Sequence, residues 1–430
     1  MKISLNLPSL ALRVLVFGLT LVVCAGLLGV ELRRFITGVI ASPSVEMDLA
    51  MIESVAAYFP NSAKVHARLA SKIVESQLDG SQSHEAMAEK ALNHATKSVE
   101  LAPANFEYRI LLSAAAELKG NAETAESALR EAVRLAPNNV NVRWQMANLL
   151  LRTGKVEESL TEFRYVADAE PRLLPNALDV LWRATGGEMA SLERIVGDTA
   201  KAKLAFAEFL TERQLFDAAA RTFSRSDRNS RLQSPETTRV LDAFLKANQW
   251  EWADRLWRDT MTSGNAADNA LFWNGSFEHL PRKGLTQFDW QLNSNQFAKL
   301  AIQEGGKSGQ RALRLAYLGV DTTRLEHEAK HLIHLQPGAA YRLECFAKPE
   351  RLVTDEGPQV AILRADTREV LASSVPVSTA ANAWQLLAVD FVVPAELSAV
   401  VVSIRQIPRY RYTEPTEGVI WFDDFSLKAQ

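Results

Sequence analysis

The sequence predicts a multidomain α + β chain with three parts in series. A single apolar helix comes first, a stack of about five helix pairs follows, and an antiparallel β-sandwich closes the chain. Three observations predict this. A long uncharged apolar run lies near the N-terminus, prolines recur every 34 residues in the middle, and period-2 alternation appears beyond Gly264-Asn265. At 430 residues the chain suits two or three domains.

The composition supports folded domains and narrows the functions. Hydrophobic residues make up 47% and charged residues 23% of the chain, ordinary values for a globular protein. A net charge of −3 and a pI near 6.2 lack the basic footprint of a nucleic-acid binder. The two cysteines are Cys24, inside the apolar run, and Cys345; their positions argue against a disulfide between them. Leu21-Val22-Val23 ahead of Cys24 lacks the small residue that lipoprotein processing needs.

No residue from Val14 to Val30 is charged. Extension across Arg13 to Leu10 gives about 21 residues, near the roughly 20 that span a bilayer core. Arg13 can snorkel to the interface. Glu31-Leu32-Arg33-Arg34 closes the span, so the anchor is expected over 1–34. A cleaved signal peptide is the alternative, but no Ala-x-Ala site follows the run. An uncleaved anchor is therefore expected. Charge alone leaves its orientation open, with Lys2 and Arg13 on one side and Arg33 and Arg34, offset by Glu31, on the other. The domains that follow favour the N-terminus inside, and with it a single-pass protein of a bacterial inner membrane with the bulk of the chain in the periplasm.

Helix pairs are expected over 45–263. Pro103, Pro137 and Pro171 are spaced by 34 residues, and Gly120 and Gly154 repeat the interval at a turn. Small Ala125 and Ser159 are each followed, four residues on, by bulky Leu129 and Phe163. Small residues let two helices cross closely, and large ones fill the adjoining groove. Each proline ends one unit and starts the next. Ala219 with Phe223, and Ala253 with Trp257, extend the pattern. The excess spacing from Pro60 to Pro103 fits a loop at Asp79–Ser83. The segment 172–200 departs from the repeat, with a break at Gly186-Gly187.

These residues resemble the tetratricopeptide repeat, most clearly over 106–171. The resemblance implies a TPR-like solenoid whose first helices line a groove for protein partners. Asn141, Asn148 and Arg152 share one helix face and are the candidate groove residues, against the plainer reading of a solvated face. Trp144 is read as packing.

The β-sandwich is expected over 270–430. Leu313–Tyr317, Tyr341–Phe346 and Val389–Val393 read as strands, and Pro337-Gly338 and Glu356-Gly357-Pro358 as turns. Five features occur in order: Asn274-Gly275-Ser276-Phe277-Glu278, Phe288-Asp289-Trp290, Leu335-Gln336-Pro337-Gly338, Trp384, and Trp421-Phe422-Asp423-Asp424-Phe425-Ser426-Leu427. Together they resemble the carbohydrate-binding jelly-roll modules related to galactose-binding domains. The resemblance implies a jelly roll, a structural Ca²⁺ held by Glu278 and Asp424 with carbonyls near Asn274, and polysaccharide as a partner. The plainer reading has both carboxylates bonding backbone groups where the end strands meet. For a glycan, Arg409-Tyr410-Arg411-Tyr412 is the local candidate, because aromatic faces and polar side chains together suit sugars. Trp384 and Trp421 are assigned to the core.

His327-Glu328-Ala329-Lys330-His331 fits the zinc-peptidase pattern H-E-x-x-H. That chemistry needs a helix, with both histidines on one face. The following Leu335–Tyr341 reads as strand–turn–strand, and on a strand the two histidines stand about 13 Å apart. No other catalytic constellation is found, and no enzyme is expected. Proteins of this layout look like accessory factors of exopolysaccharide systems. The expectation is a membrane-anchored scaffold assisting polysaccharide assembly or export, with a pure protein–protein scaffold as the alternative.

Overall fold

The computed structural model describes residues 10–40, 47–79, 85–262, 270–319, 324–380, 382–406 and 415–430. These fold as helices followed by two antiparallel five-stranded sheets, as the sequence predicts. The chain divides into two compact units, Met1–Gly197 and Asp198–Gln430.

In the first unit, α1 runs over Leu10–Ile40, 31 residues. At 1.5 Å per residue it is about 46 Å long, more than the roughly 30 Å hydrocarbon core of a bilayer. It passes Glu31–Arg34 because Phe35, Ile36 and Val39 continue the apolar pattern and the first helix breaker is Pro43. The helices α2 (Leu49–Tyr58), α3 (Ala63–Asp79) and α4 (Glu85–Leu101) then share a core of Ile52, Leu69, Ile73, Ala91 and Ala95. The loop expected at Asp79–Ser83 lies, beyond Asp79, outside the described residues.

Two hairpins carry the 34-residue repeat: α5 (Phe106–Leu118) with α6 (Ala122–Leu135), and α7 (Val140–Arg152) with α8 (Val156–Ala169). Gly120 and Gly154 both have φ +79°, a conformation natural to glycine. Each hairpin turn closes with the same pair of backbone bonds. Asn121 N–H reaches Ala116 O at 2.8 Å and Gly120 N–H reaches Glu117 O at 2.9 Å. Lys155 N–H reaches Leu150 O at 2.8 Å and Gly154 N–H reaches Leu151 O at 3.1 Å. These bonds satisfy the last carbonyls of the first helix and reverse the chain. Ala125, Ser159 and Phe163 are fully buried and Leu129 nearly so, which confirms the small-then-large reading. Ser159 is tolerated there because its hydroxyl donates to Ala147 O at 2.8 Å.

Sequence reasoning missed a further periodic signal. Asn105 and Asn139, two residues after Pro103 and Pro137, cap α5 and α7; their side chains accept from Glu107 N at 2.9 Å and Val142 N at 3.2 Å. Pro171 opens a 3-10 turn, Pro171–Leu173, that leads into α9 (Leu174–Thr185). Gly186 ends α9 in the left-handed region before α10 (Met189–Ile195), the predicted break.

The second unit begins with α11 (Ala200–Glu212), α12 (Phe216–Ser224), α13 (Arg228–Gln233), α14 (Pro235–Lys246) and α15 (Trp250–Met261). Ala219, Phe223, Ala253 and Trp257 are all fully buried. Trp257 also faces the segment ahead of the first strand. Its indole N–H donates to Leu285 O at 2.8 Å, and its ring meets Trp273 edge-on at 5.5 Å. A residue placed by the helical pattern thus packs on that segment as well.

The strands are β1 (Gln291–Leu292), β2 (Ala298–Glu304), β3 (Arg311–Leu318), β4 (Leu325–His334), β5 (Ala340–Val353), β6 (Gln359–Arg364), β7 (Val370–Ser373), β8 (Gln385–Val392), β9 (Ala399–Gln406) and β10 (Glu417–Ala429). One sheet has the order β1-β4-β9-β6-β7 and the other β2-β3-β10-β5-β8. Consecutive strands therefore alternate between sheets over much of the domain, as in a jelly roll. Their inner faces share one core, which includes Leu313, Leu315, Ile333, Leu343, Val402 and Phe422.

Candidate ligand-binding faces

Sandwich strands alternate between core and outer face, and this alternation sorts the predicted residues. Along β10, Ile420 and Phe422 are fully buried and Trp421 between them points outward, half-buried. Trp384, just ahead of β8, is also half-buried and outside the core cluster. The assignment of both tryptophans to the core is therefore corrected. A strand shows the sequence-local pattern of its residues, and only the register of its neighbours says which phase faces in.

The opening segment meets the closing strand, as the jelly-roll resemblance implies. Phe425 N–H donates to Gly275 O at 2.9 Å. A Cβ on Gly275 would stand 2.0 Å from Phe425 O, so only glycine permits this approach. Beneath it Phe272, Phe277, Trp290 and Phe425 form an aromatic cluster, with Phe277 and Trp290 stacked at 4.9 Å.

Glu278 and Asp424 converge on the same β2–β3 turn from two sides. Glu278 Oε1 accepts the N–H groups of Gln310 at 2.9 Å and Arg311 at 3.0 Å. Asp424 accepts the Ser308 hydroxyl and the Lys307 ammonium, the latter at 3.2 Å. Asp423, fully buried, accepts Lys307 N–H at 2.6 Å and Ser308 N–H at 3.3 Å. Burial, with the neighbouring Asp424 charge adding to it, pushes the Asp423 carboxyl up to about 6. A calcium shell needs several converging oxygens. Here N–H, O–H and ammonium donors point at the carboxylates, and no group of three His, Cys, Asp or Glu gathers among the described residues. As arranged, this donor set does not fit calcium and forms a hydrogen-bonded clamp on the turn.

The HEAKH motif lies on β4, and the helical geometry of a zinc peptidase is missing. His327 is exposed. His331 is buried, with Nε2 2.9 Å from Trp273 O and Nδ1 3.0 Å from Leu332 O. Burial holds its imidazole down at about 3, so it is neutral at ordinary pH. The Glu328 carboxylate accepts the N–H groups of Glu326 at 2.7 Å and His327 at 2.8 Å.

On the repeats, Asn141 is exposed and Asn148 is half-buried, with its amide donating to Trp144 O at 2.8 Å. Arg152 forms a two-pronged pair with Glu117 of the preceding hairpin, at 2.7 and 2.9 Å. Trp144 meets Phe163 edge-on at 5.5 Å, as packing predicts. Arg409, Tyr410, Arg411 and Tyr412 lie outside the described residues.

No family model and no curated protein matches the chain. Solved structures similar to parts of it include a CBM4 module, 16% identical, covering 37% of this chain and 99% of its own, with a TM-score of 0.29. A thermophilic TPR protein of Thermus thermophilus is 17% identical and covers 46% of this chain and 89% of its own, with a TM-score of 0.25. The TPR protein YrrB is 11% identical and covers 50% of this chain and 92% of its own, also at 0.25.

Proposed function

We propose that this chain is a membrane-anchored, non-enzymatic scaffold. Helix α1 holds it in a bacterial inner membrane with the remainder in the periplasm. There the helix pairs of 45–263 bind a protein partner, and the sandwich of 270–430 contacts a polysaccharide during its assembly or export.

The observation that carries this reading is α1 itself. Its stretch Val14–Val39 is long and apolar enough to cross a membrane, and no residue from Val14 to Arg33 is buried, while Thr37 near its end is. Val14, Leu15, Phe17, Leu19, Val22 and Leu28 are each more than half exposed. Each such side chain left in water forgoes about 1.5–3 kcal/mol of burial, and a lipid phase would recover it. The half-buried outward tryptophans of the sandwich supply aromatic faces of the kind that sugars stack on.

Alkaline phosphatase fused after Gln430 tests the topology. Activity in intact cells, with the fusion resisting carbonate extraction from membranes, is the expected result. An inactive fusion would put residues 47–430 in the cytoplasm and remove the polysaccharide role. An active fusion that washes off would identify α1 as a cleaved leader.

A further inference from the structure

The outer face of the second sheet carries one continuous row. Cross-strand register pairs Arg314 of β3 with Trp421 of β10, and Trp421 with Lys348 of β5. Trp384 lies one step beyond the Ala347–Gln385 pair of β5 and β8, beside Lys348. The row therefore reads Arg314, Trp421, Lys348, Trp384: cation, indole, cation, indole. Neighbouring strands are spaced by about 4.8 Å, so the two indoles stand about 10 Å apart. That is roughly the reach of one disaccharide.

Each of the two cations lies beside one of the rings. Arg314 lies 5.9 Å from the centre of the Trp421 ring and Lys348 5.5 Å from that of Trp384. Neither has a carboxylate partner among the described residues. The charges lower on the same face are mutually paired: Arg342 with Glu344 and Asp390, each at 2.9 Å, and Lys428 with Glu344 at 3.4 Å. Glu350, the acid beside the row, accepts the Trp421 indole N–H at 2.9 Å and so fixes the ring. The row thus presents unspent positive charge next to flat apolar rings.

The row crosses β3, β10 and β5, each hydrogen-bonded to a strand on both sides. A peptide cannot add along β3, β10 or β5 as a further strand, and the one sheet edge near the row is that of β8, beyond Trp384. Recognition across the row runs through side-chain faces, which suits sugar rings. Their C–H faces stack on indoles while their substituents reach the flanking groups.

Resting on the polysaccharide reading above, we propose that this row is a binding platform for an acidic polysaccharide. Sugar rings stack on Trp421 and Trp384, and uronate-type carboxylates pair with Arg314 and Lys348.

The test uses the full chain in detergent micelles and three polymers: polygalacturonate, its fully methyl-esterified neutral form, and polyglutamate. Titration calorimetry is expected to show polygalacturonate binding about tenfold tighter than the ester, the weight of one charge-assisted contact. Polyglutamate is not expected to bind. The double variant Arg314→Gln/Lys348→Gln erases the preference for the acid. Trp384→Ala weakens both glycans about tenfold, and Trp384→Phe restores part of the loss. Unchanged melting temperatures confirm that the variants fold. Polyglutamate binding as well as polygalacturonate would overturn the proposal and mark a general anion surface. Glycan binding indifferent to all these variants would overturn the platform and leave the polysaccharide reading standing. Binding of neither glycan would overturn both.

Discussion

The stability that His331 contributes should fall on acidification. The imidazole is buried against Phe272, at 4.4 Å between ring centres, and Trp290, at 5.3 Å. Burial lowers its pKa from 6.5 to about 3. The folded state therefore refuses a proton that the unfolded chain accepts below pH 6.5. Its contribution is fully present above that pH and falls as the pH drops from 6.5 toward 3. Between pH 7 and pH 5 the loss is about 2 kcal/mol, from 1.5 pH units at 1.36 kcal/mol each.

Asp423 acts in the opposite direction. Its folded pKa is raised from 3.8 to about 6, so the folded state gains a proton first as the pH falls. That stabilises the fold between pH 6 and 3.8, by about 1.4 kcal/mol at pH 5. Taken together, these two groups change the stability little between pH 7 and pH 5, because their effects largely offset. His331→Gln keeps a donor for Trp273 O and removes the loss. Its stability should rise relative to wild type by about 2 kcal/mol on going from pH 7 to pH 5. For a unit of this size that is about 4–8 °C in melting temperature. Near-UV circular dichroism melts of both full-length proteins in detergent measure it. Parallel pH dependences would refute the assignment of the acid-sensitive term to His331.

Two further outcomes follow from the sandwich. Gly275→Ala should cost about 3 kcal/mol, the sum of overpacking and a weakened Phe425–Gly275 hydrogen bond; a shift below about 1 kcal/mol in chemical denaturation would show that the crossing yields easily. Because donors already face the Glu278 and Asp424 oxygens, chelation with EGTA should leave the melting temperature in place. A rise of several degrees on adding calcium, lost in Glu278→Gln, would instead assign a bound cation to the β2–β3 turn.

Much of the helical architecture was legible because it is local and periodic. A turn that needs a left-handed residue favours glycine, so Gly120 and Gly154 announce themselves, and so do the close crossings at Ala125 and Ser159; the same turns at Gln214 and Asn248, with φ of 60° and 58°, carry no such mark. The Asn105 and Asn139 caps recur at the same interval and were available to the same reasoning. The outward face of the sandwich was not legible. Alternation along β10 distinguishes two phases but does not say which one the opposite sheet covers, and Trp421 has the apolar character of a core residue. The HEAKH motif shows the same limit. Its spacing satisfies a helix pattern, and the partners of β4, which lie far along the chain, make it a strand.

Local patterns in the chain set the order of parts: the apolar helix, the 34-residue hairpins, and the alternating strands of 270–430. These depend on local propensity, on periodicity, and on small residues where backbones approach. Packing in three dimensions settles which aromatic residues face outward, that Arg314, Trp421, Lys348 and Trp384 stand in one row, and that Trp257 serves both its helix pair and the segment before the sandwich. Those outcomes depend on register between strands distant in sequence, and no local pattern encodes that register.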